Sequence, residues 1–217
     1  MSGRSASIMA DDVLRLCLDT HLLVAVKFNK RSTPKSQSLG PDSQYGASSH
    51  FLMDFIENGG IEAAAIQLVV SWGMLNDLSD ALESLGFSKA SAVAIADGLE
   101  GTALNGPKSE YAHLVLGGTG LVTVGPNQQG VIETALAGRA HVLATNTVGN
   151  YATDQTEVLE RGERNGKEVA AVAIYDSGDR SIVIAWPSKV VGWLRAGIFP
   201  DAKRIRALYQ DPPQPMP

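Results

Sequence analysis

Apolar runs separated by turn-forming residues give the clearest pattern in the C-terminal half of the chain. Residues 169–175 and 181–186 are rich in β-branched side chains and flank the group Asp-Ser-Gly-Asp at 176–179. This arrangement predicts a β-hairpin. Successive residues of both runs are apolar, so we expect the hairpin to be covered on both faces. The apolar run 140–144 predicts another buried strand.

The N-terminal half has a different pattern, which predicts mainly helices. Residues 10–20, with aspartates near the start, predict a short helix, and the run 22–28, with valines at two positions, predicts a strand. Between residues 61 and 85, apolar side chains recur at spacings of three, four and seven, which predicts one long amphipathic helix. The glycine-rich segment 98–109 predicts a boundary between this helical layer and a β-rich part.

Two segments have the composition of loops. Residues 29–49 are rich in Ser, Pro, Gly and Lys and predict a long flexible loop, and residues 211–217 form a Pro-rich tail that cannot continue a helix. Loops of such length are uncommon in compact domains unless they cover a site or contact a partner. We interpret 29–49 either as an arm that grips a partner or as a mobile surface excursion.

Together these elements predict an α+β or α/β fold in a single domain, residues 1–217. We expect one mixed sheet of about five to six strands, flanked by helices. Residues 1–105 form the mainly helical layer with its flexible loop, and residues 106–217 form the β-rich part that ends in the Pro-rich tail.

Composition narrows the classes of function. The chain has 217 residues, 44% of them apolar and 19% charged, which is typical of a soluble globular protein. Its net charge is −5, and residues 51–110 carry two Lys/Arg against nine Asp/Glu. This balance disfavours nucleic-acid binding over a broad face, since such binding depends on clustered Lys and Arg. The four histidines are too scattered for a metal-binding pattern.

Cys17 is the only cysteine, so an intramolecular disulfide and a Cys-based zinc site are both excluded. Asp11 and Asp12 stand where a signal peptide needs an apolar core, and no stretch reaches the roughly 18 apolar residues that cross a bilayer. These features predict a cytoplasmic protein with no membrane association. His21 lies four residues after Cys17, but the surrounding leucines favour a buried, inert thiol over a nucleophile.

The glycine group 117–120 invites interpretation as a phosphate loop. Strand-forming residues follow it at 121–124, and neither a Lys-Ser/Thr pair nor the dinucleotide-binding spacing is present. These features favour a hairpin turn. A better candidate for an anion site is the segment 126–130, which opens a predicted helix and includes Asn127 and Gln128.

A second candidate site follows the predicted strand 140–144. In open α/β sheets ligands bind at the carboxyl ends of strands, and polar side chains gather there. The alternative is that these residues only satisfy loop backbone groups and that Thr153 or Asp154 caps a following helix. The candidate ligand-binding residues are Thr145, Asn146, Thr147, Asn150, Tyr151 and Asp154.

Two functional hypotheses follow, although no motif identifies a catalytic residue or a cofactor. The first is a small-molecule-binding protein or enzyme whose site lies near 117–130 and 145–154. The second is a non-enzymatic, self-assembling structural or interaction protein, a homo-oligomer in which the 29–49 loop and the tail act as arms. In that hypothesis the segment 186–199 offers an apolar contact surface.

Overall fold

A mixed sheet with flanking helices forms the framework of the molecule. The computed structural model describes residues 13–29, 42–58, 60–61, 64–106, 113–115 and 126–210. In chain order the elements are β1 (Val13–Leu18), α1 (Thr20–Asn29), α2 (Asp42–Glu57), β2 (Gly60–Ile61), β3 (Ala64–Ser71), α3 (Trp72–Ser84), α4 (Lys89–Leu104), β4 (His113–Val115), α5 (Pro126–Ala137), β5 (Val142–Ala144), a 3₁₀ turn (Val148–Tyr151), β6 (Thr156–Arg164), β7 (Lys167–Asp176), β8 (Ser181–Ala185), α6 (Pro187–Arg195) and α7 (Ala202–Gln210).

The sheet confirms the expected α+β class. Strands β4, β3, β1, β5 and β8 are mutually parallel in that spatial order, and β7 and β6 continue the sheet in antiparallel fashion. Strands β1, β3 and β5 to β8 form its body, while the short β2 and β4 both pair with β3. The order of the strands along the chain reverses at β1, which lies between β3 and β5. Such a reversal opens a crevice at the carboxyl ends of the central strands.

The helices pack around this sheet in a connected arrangement. Helix α1 contacts α2 and α3, α3 contacts α4, and α2 contacts α6, whereas α5 lies against β1, β3 and β5. The core is largely aliphatic, and the side chains of the central strands are almost completely buried within it. None of the helices in the described ranges combines the length and the apolar character that crossing a membrane would require.

The first two elements were predicted with the wrong type of secondary structure, a helix where the structure has a strand and a strand where it has a helix. The helix predicted at 10–20 is replaced over its described part by β1, and the strand predicted at 22–28 is part of α1. Leu14, Leu16 and Leu18 are fully buried, because β1 is hydrogen-bonded between β3 and β5. A strand covered on both faces has no alternation of apolar and polar residues, so its pattern resembles that of a buried helix.

The long helix predicted between 61 and 85 is also wrong in its first half. That part is the buried strand β3, and α3 begins only at Trp72, where the Ser71 hydroxyl accepts a hydrogen bond from the Met74 N–H at 3.2 Å. Helix α4 continues through Gly98 and Gly101 to Leu104, while residues 107–109 of the segment 98–109 lie outside the described residues, so the boundary expected there stays a prediction.

The predicted loops lie mostly outside the described residues. This holds for 30–41, for the glycine group 117–120 and for the tail 211–217. Helix α2 begins at Asp42, so the last part of the predicted 29–49 loop is helical.

The predictions for the C-terminal half agree better with the structure. Strands β7 and β8 form the predicted antiparallel hairpin, with Tyr175 opposite Ile182 and Gly178 in the left-handed region at φ 85°. Asp201 caps α7, because its Oδ1 accepts a hydrogen bond from the Arg204 N–H at 2.8 Å. Helix α6 begins at Pro187, directly after Trp186.

Candidate functional site

Asp19 lies where the chain leaves β1 and enters α1. Its N–H donates to the carbonyl of Ala144 on β5 at 3.0 Å, and its own carbonyl accepts from the N–H groups of Leu22 and Leu23. Its Oδ1 accepts from the His21 N–H at 3.2 Å, so the side chain caps α1. These bonds fix the carboxylate at the reversal point of the sheet, where open α/β sheets bind ligands.

Two hydroxyl groups from the β5 side hold the other oxygen of this carboxylate. Oδ2 of Asp19 accepts from Thr145 Oγ1 at 2.7 Å and from the Tyr151 hydroxyl at 3.2 Å. Thr145 directly follows β5 and Tyr151 ends the 3₁₀ turn. Asp19 is only 5% exposed, and both hydroxyl-bearing residues are completely buried. Burial raises the pKa of the Tyr151 hydroxyl far above its ordinary value, and the charge of Asp19 raises it further, so this group acts as a neutral donor.

His21 extends this network to the surface. Its Nδ1 lies 3.3 Å from Oδ1 of Asp19, while 90% of its side chain is exposed. Burial by itself would raise the pKa of Asp19, but hydrogen bonds from His21 and Thr145 outweigh it, so that pKa is lowered. The hydrogen bond to Asp19 raises the pKa of His21, partly opposed by lost hydration. A carboxylate that binds Nδ1–H leaves Nε2 available, which is the arrangement of a general acid or base.

A large cavity opens beside His21, between α1, α3 and α5. Its volume is about 830 Å³, within the range of small-molecule sites. Its wall has a polar part and an apolar part. The polar side chains are Asp19, Thr20, His21, Ser71, Asp77, Ser84 and Thr134, and the larger apolar ones are Val24, Met74, Leu85 and Val131.

Hydroxyl groups supply hydrogen-bonding capacity to the cavity wall. Ser71 and Thr134 are buried, and their hydroxyl oxygens lie 2.8 Å apart. Oγ1 of Thr134 also lies 2.6 Å from the carbonyl of Gly130, so its single proton serves one of these two acceptors. The hydroxyl of Thr20 is buried without a hydrogen-bond partner among the described residues. An unpaired buried hydroxyl is costly, and a polar ligand or water in the cavity would satisfy it.

The structure brings some of the sequence-predicted residues together. Thr145 and Tyr151 meet at Asp19, and the Thr147 N–H donates to Thr145 Oγ1 at 3.1 Å. Asn146 lies beside them, and its carbonyl accepts from Arg164 at 2.7 Å. The side-chain Oδ1 of Asn146 is buried and has no hydrogen-bond partner in the described part of the chain.

Other predicted residues lie apart from this network. The side chains of Asn150 and Asp154 are exposed. The helix that Asp154 was expected to cap does not exist, because the chain there enters β6. Asn127 and Gln128 lie in the first turn of α5, whose side chains are outside the described part. Among the described side chains, none of the predicted residues lines the large cavity.

Sequence reasoning missed Asp19 and His21, although a signal for them exists. The apolar run of β1 is followed at once by Asp-Thr-His, just as the run of β5 is followed by Thr-Asn-Thr. Both are polar groups at the carboxyl end of a buried strand. The first was hidden because residues 10–20 were interpreted as a helix, so Asp19 and His21 were not recognised as following a strand.

Cys17 is buried in β1, as expected for an inert thiol. Burial raises the pKa of this thiol far above its ordinary value, and the charge of Asp19 raises it further. The thiolate form that a nucleophile needs is therefore disfavoured. Within the described ranges, no cluster of three or more His, Cys, Asp or Glu side chains is arranged to hold a metal ion.

Comparison of the chain with protein-family models, with curated proteins and with solved structures gave no match in any of the three. The features that bear on function are therefore the geometry around Asp19 and His21 and the cavity beside them.

Proposed function

We propose that the large cavity binds a small organic molecule and that His21 exchanges a proton with it. The observation that carries this proposal is the hydrogen bond between Asp19 and His21 at the edge of an 830 Å³ cavity. A histidine held by a buried carboxylate has a fixed orientation and a raised pKa. In the proposed reaction Nε2 of His21 gives a proton to, or takes one from, the bound molecule.

Asp19 serves this proposed function as the group that orients His21. Thr145 and Tyr151 act as positioning residues, since their hydroxyls hold the carboxylate oxygen that does not contact the histidine. Neither of them needs to touch the ligand. Direct ligand contact by Asn146, Thr147, Asn150, Asp154, Asn127 and Gln128 stays a prediction.

The cavity wall suggests what kind of molecule fits. Met74, Val24 and Leu85 give it apolar surface, while the hydroxyls of Ser71 and Thr20 give it hydrogen-bonding groups. Apolar surface with a few converging polar groups is typical of sites for small organic ligands. We therefore infer a ligand with an apolar body and a polar end, bound with its polar end near His21.

Binding is tested by closing the cavity. Ala81 lies on α3 and lines the cavity, so Ala81→Phe would fill part of it. Asn76 is an exposed residue of the same helix that does not line it, and Asn76→Phe is the matched control. We expect a metabolite library to contain compounds that raise the melting temperature of the wild type and of Asn76→Phe but not of Ala81→Phe. Compounds that stabilise both variants equally would contradict binding in this cavity.

Proton transfer is tested with any compound found in that screen. His21→Gln removes the titrating group from an exposed position, so the fold should be retained. We expect the variant to keep affinity for the compound and to lose at least a hundredfold in turnover, a typical contribution of acid–base catalysis. The catalytic part of the proposal would be refuted if turnover were unchanged in His21→Gln, or if the compound bound the wild type without being converted. The protein would then only bind the compound. Asn146→Ala and Asn150→Ala test the loop in the same assay.

The assembly hypothesis stays an alternative prediction. Residues 30–41 of the 29–49 arm and the whole tail 211–217 lie outside the described residues. The apolar contact surface expected at 186–199 has less support, because Trp186, Trp193 and Phe199 are buried in the core. A homo-oligomeric state and a cytoplasmic location also stay predictions from the sequence.

A further inference from the structure

A second cavity opens at the opposite end of the central strands, beside the start of β5 and β8. Its volume is about 380 Å³, and its lining includes Arg15, Arg139, Arg180, His141 and Ser181. No aspartate or glutamate is among the residues that line it. The chain as a whole has a net charge of −5, so a lining with three arginines is a local exception that requires an explanation.

Arg139 occupies a backbone position that favours glycine. Its φ is 53°, in the left-handed region that side chains with a Cβ disfavour. The N–H of Arg139 donates to the carbonyl of Leu136 at 3.1 Å and the N–H of Ala140 donates to that of Ala135 at 2.8 Å. This pair of bonds is the motif that ends helices with a left-handed residue, most often glycine. An unfavourable residue at such a position is a reason to ask what its side chain does.

Arg180 is held in place from the other side of the cavity. Its guanidinium Nη1 donates to the carbonyl of Leu136 at 3.0 Å, in the last turn of α5. Neither Arg139 nor Arg180 forms an ion pair with any residue in the described ranges. The carboxylate of Asp176 lies 3.3 Å from the Ser181 hydroxyl, but it is already 3.6 Å from the guanidinium of Arg206.

We propose that this cavity binds the phosphate group of a phosphorylated small molecule. Guanidinium groups present planar forks of N–H donors that match the oxygens of phosphate. The guanidinium groups of Arg139 and Arg180 together offer more N–H donors and more positive charge than a single carboxylate matches, whereas a phosphate dianion provides three acceptor oxygens and two negative charges. The proposal is independent of the function assigned to His21, because it rests on different residues at the other end of the sheet.

Isothermal titration calorimetry at constant ionic strength tests the ligand class. The probes are inorganic phosphate, glycerol 3-phosphate and, as a carboxylate, acetate. We expect both phosphate compounds to bind and acetate to bind at least tenfold more weakly, since it has fewer acceptors and half the charge. Equal affinity for acetate would overturn the assignment to phosphate. Binding of inorganic phosphate but not of glycerol 3-phosphate would overturn the assignment to a phosphorylated molecule.

Arg139→Gly gives the sharpest test, because it changes affinity and stability in opposite directions. Losing one guanidinium should weaken binding of inorganic phosphate about tenfold. Relief of the left-handed backbone should raise the melting temperature without phosphate by about 1 to 4 °C. Arg180→Gln should weaken binding similarly without this gain. Both variants are expected to fold, since these side chains are exposed.

Two control variants separate the cavity from general effects. Asn165, in the turn between β6 and β7, also has φ 53°, so Asn165→Gly makes the same backbone change away from the cavity. Arg161 is an exposed arginine of β6, so Arg161→Gln removes the same charge elsewhere. We expect both controls to keep wild-type affinity for phosphate. Unchanged affinity in Arg139→Gly and Arg180→Gln, or an equal loss in Arg161→Gln, would overturn the proposal.

Discussion

Thr145→Val is the perturbation for which the structure allows the best estimate of an effect. Valine has nearly the same shape as threonine but lacks the hydroxyl. In the wild type that hydroxyl donates to Oδ2 of Asp19 at 2.7 Å and accepts from the N–H of Thr147 at 3.1 Å, and the residue is completely buried. A hydrogen bond to a charged group contributes about 1.5 to 3 kcal/mol, and the exposed Thr147 can turn its N–H to water at little cost. We expect a loss of about 2 to 3 kcal/mol in the free energy of unfolding at pH 7.

The pH dependence of this loss has a definite sign. The pKa of Asp19 is lowered from its ordinary value of 3.8 in the folded state, so its stabilising contribution is present above that value and is lost as the pH falls through the lower, folded pKa. The Thr145→Val penalty should therefore be full at neutral pH and shrink in acid, where a protonated Asp19 gains less from the hydroxyl. Urea unfolding at neutral and acidic pH, followed by circular dichroism, measures the loss in free energy of unfolding and its change with pH. In thermal unfolding at pH 7, the expected decrease in melting temperature is about 4 to 12 °C.

Thr102→Val is the matched control for this experiment. The Thr102 hydroxyl donates to the carbonyl of Gly98 at 2.9 Å within α4, where no buried charge depends on it. Its loss should change the free energy of unfolding by less than about 0.5 kcal/mol. If Thr145→Val were no more destabilising than Thr102→Val, or if its effect did not change with pH, the buried network around Asp19 would not exist as described.

Two further predictions test other parts of the structure. A Cβ on Gly162 of β6 would lie 2.6 Å from Cη2 of the buried Trp186, so Gly162→Ala should lower the free energy of unfolding in urea by about 1 to 3 kcal/mol. Gly192→Ala in α6 is the control, because the added Cβ meets nothing within 4 Å, and it should be neutral or slightly stabilising. A histidine titration by NMR should give His21 a pKa above its ordinary 6.5 in the wild type and a lower pKa in Asp19→Asn, because the hydrogen bond to the carboxylate raises it. The stabilising effect of this pair should be full below pH 6.5 and disappear as the pH rises through the pKa of His21 in the folded protein. Equal pKa values of His21 in the wild type and in Asp19→Asn would refute the pairing.

Sequence patterns predicted the C-terminal half of the fold better than the N-terminal half, for a physical reason. Around Gly178 the turn residues themselves determine a hairpin, so local chemistry and tertiary structure agree. In β1 and β3 nothing local distinguishes a strand from a helix. Both are buried on two faces, and the apolar spacing between 61 and 85 matched a helix only because almost every residue of β3 is apolar.

The same ambiguity explains which part of the candidate site was predictable. Thr145 and Tyr151 were found because the run before them is a strand and strand ends are sites of polar convergence. Asp19 and His21 obey that rule equally well, but it applies only once β1 is known to be a strand. The cavity could not be predicted at all, since α1, α3 and α5 supply it from distant parts of the chain and their approach is a result of packing.

The two candidate sites share strands, and this sets how they should interact. Strand β1 carries Arg15 near its start and leads to Asp19 at its end, about 13 Å further along at the rise of a parallel strand. His141 and Thr145 flank β5 in the same way. Opposite charges thus lie at opposite ends of the same pair of strands.

Changes more than about 10 Å apart without shared partners usually act independently. We therefore expect Arg139→Gly to leave the titration of His21 unchanged and Thr145→Val to leave phosphate affinity unchanged. Coupling in either direction would mean that β1 and β5 move as a unit when one end is occupied, so that each site senses the other through the sheet.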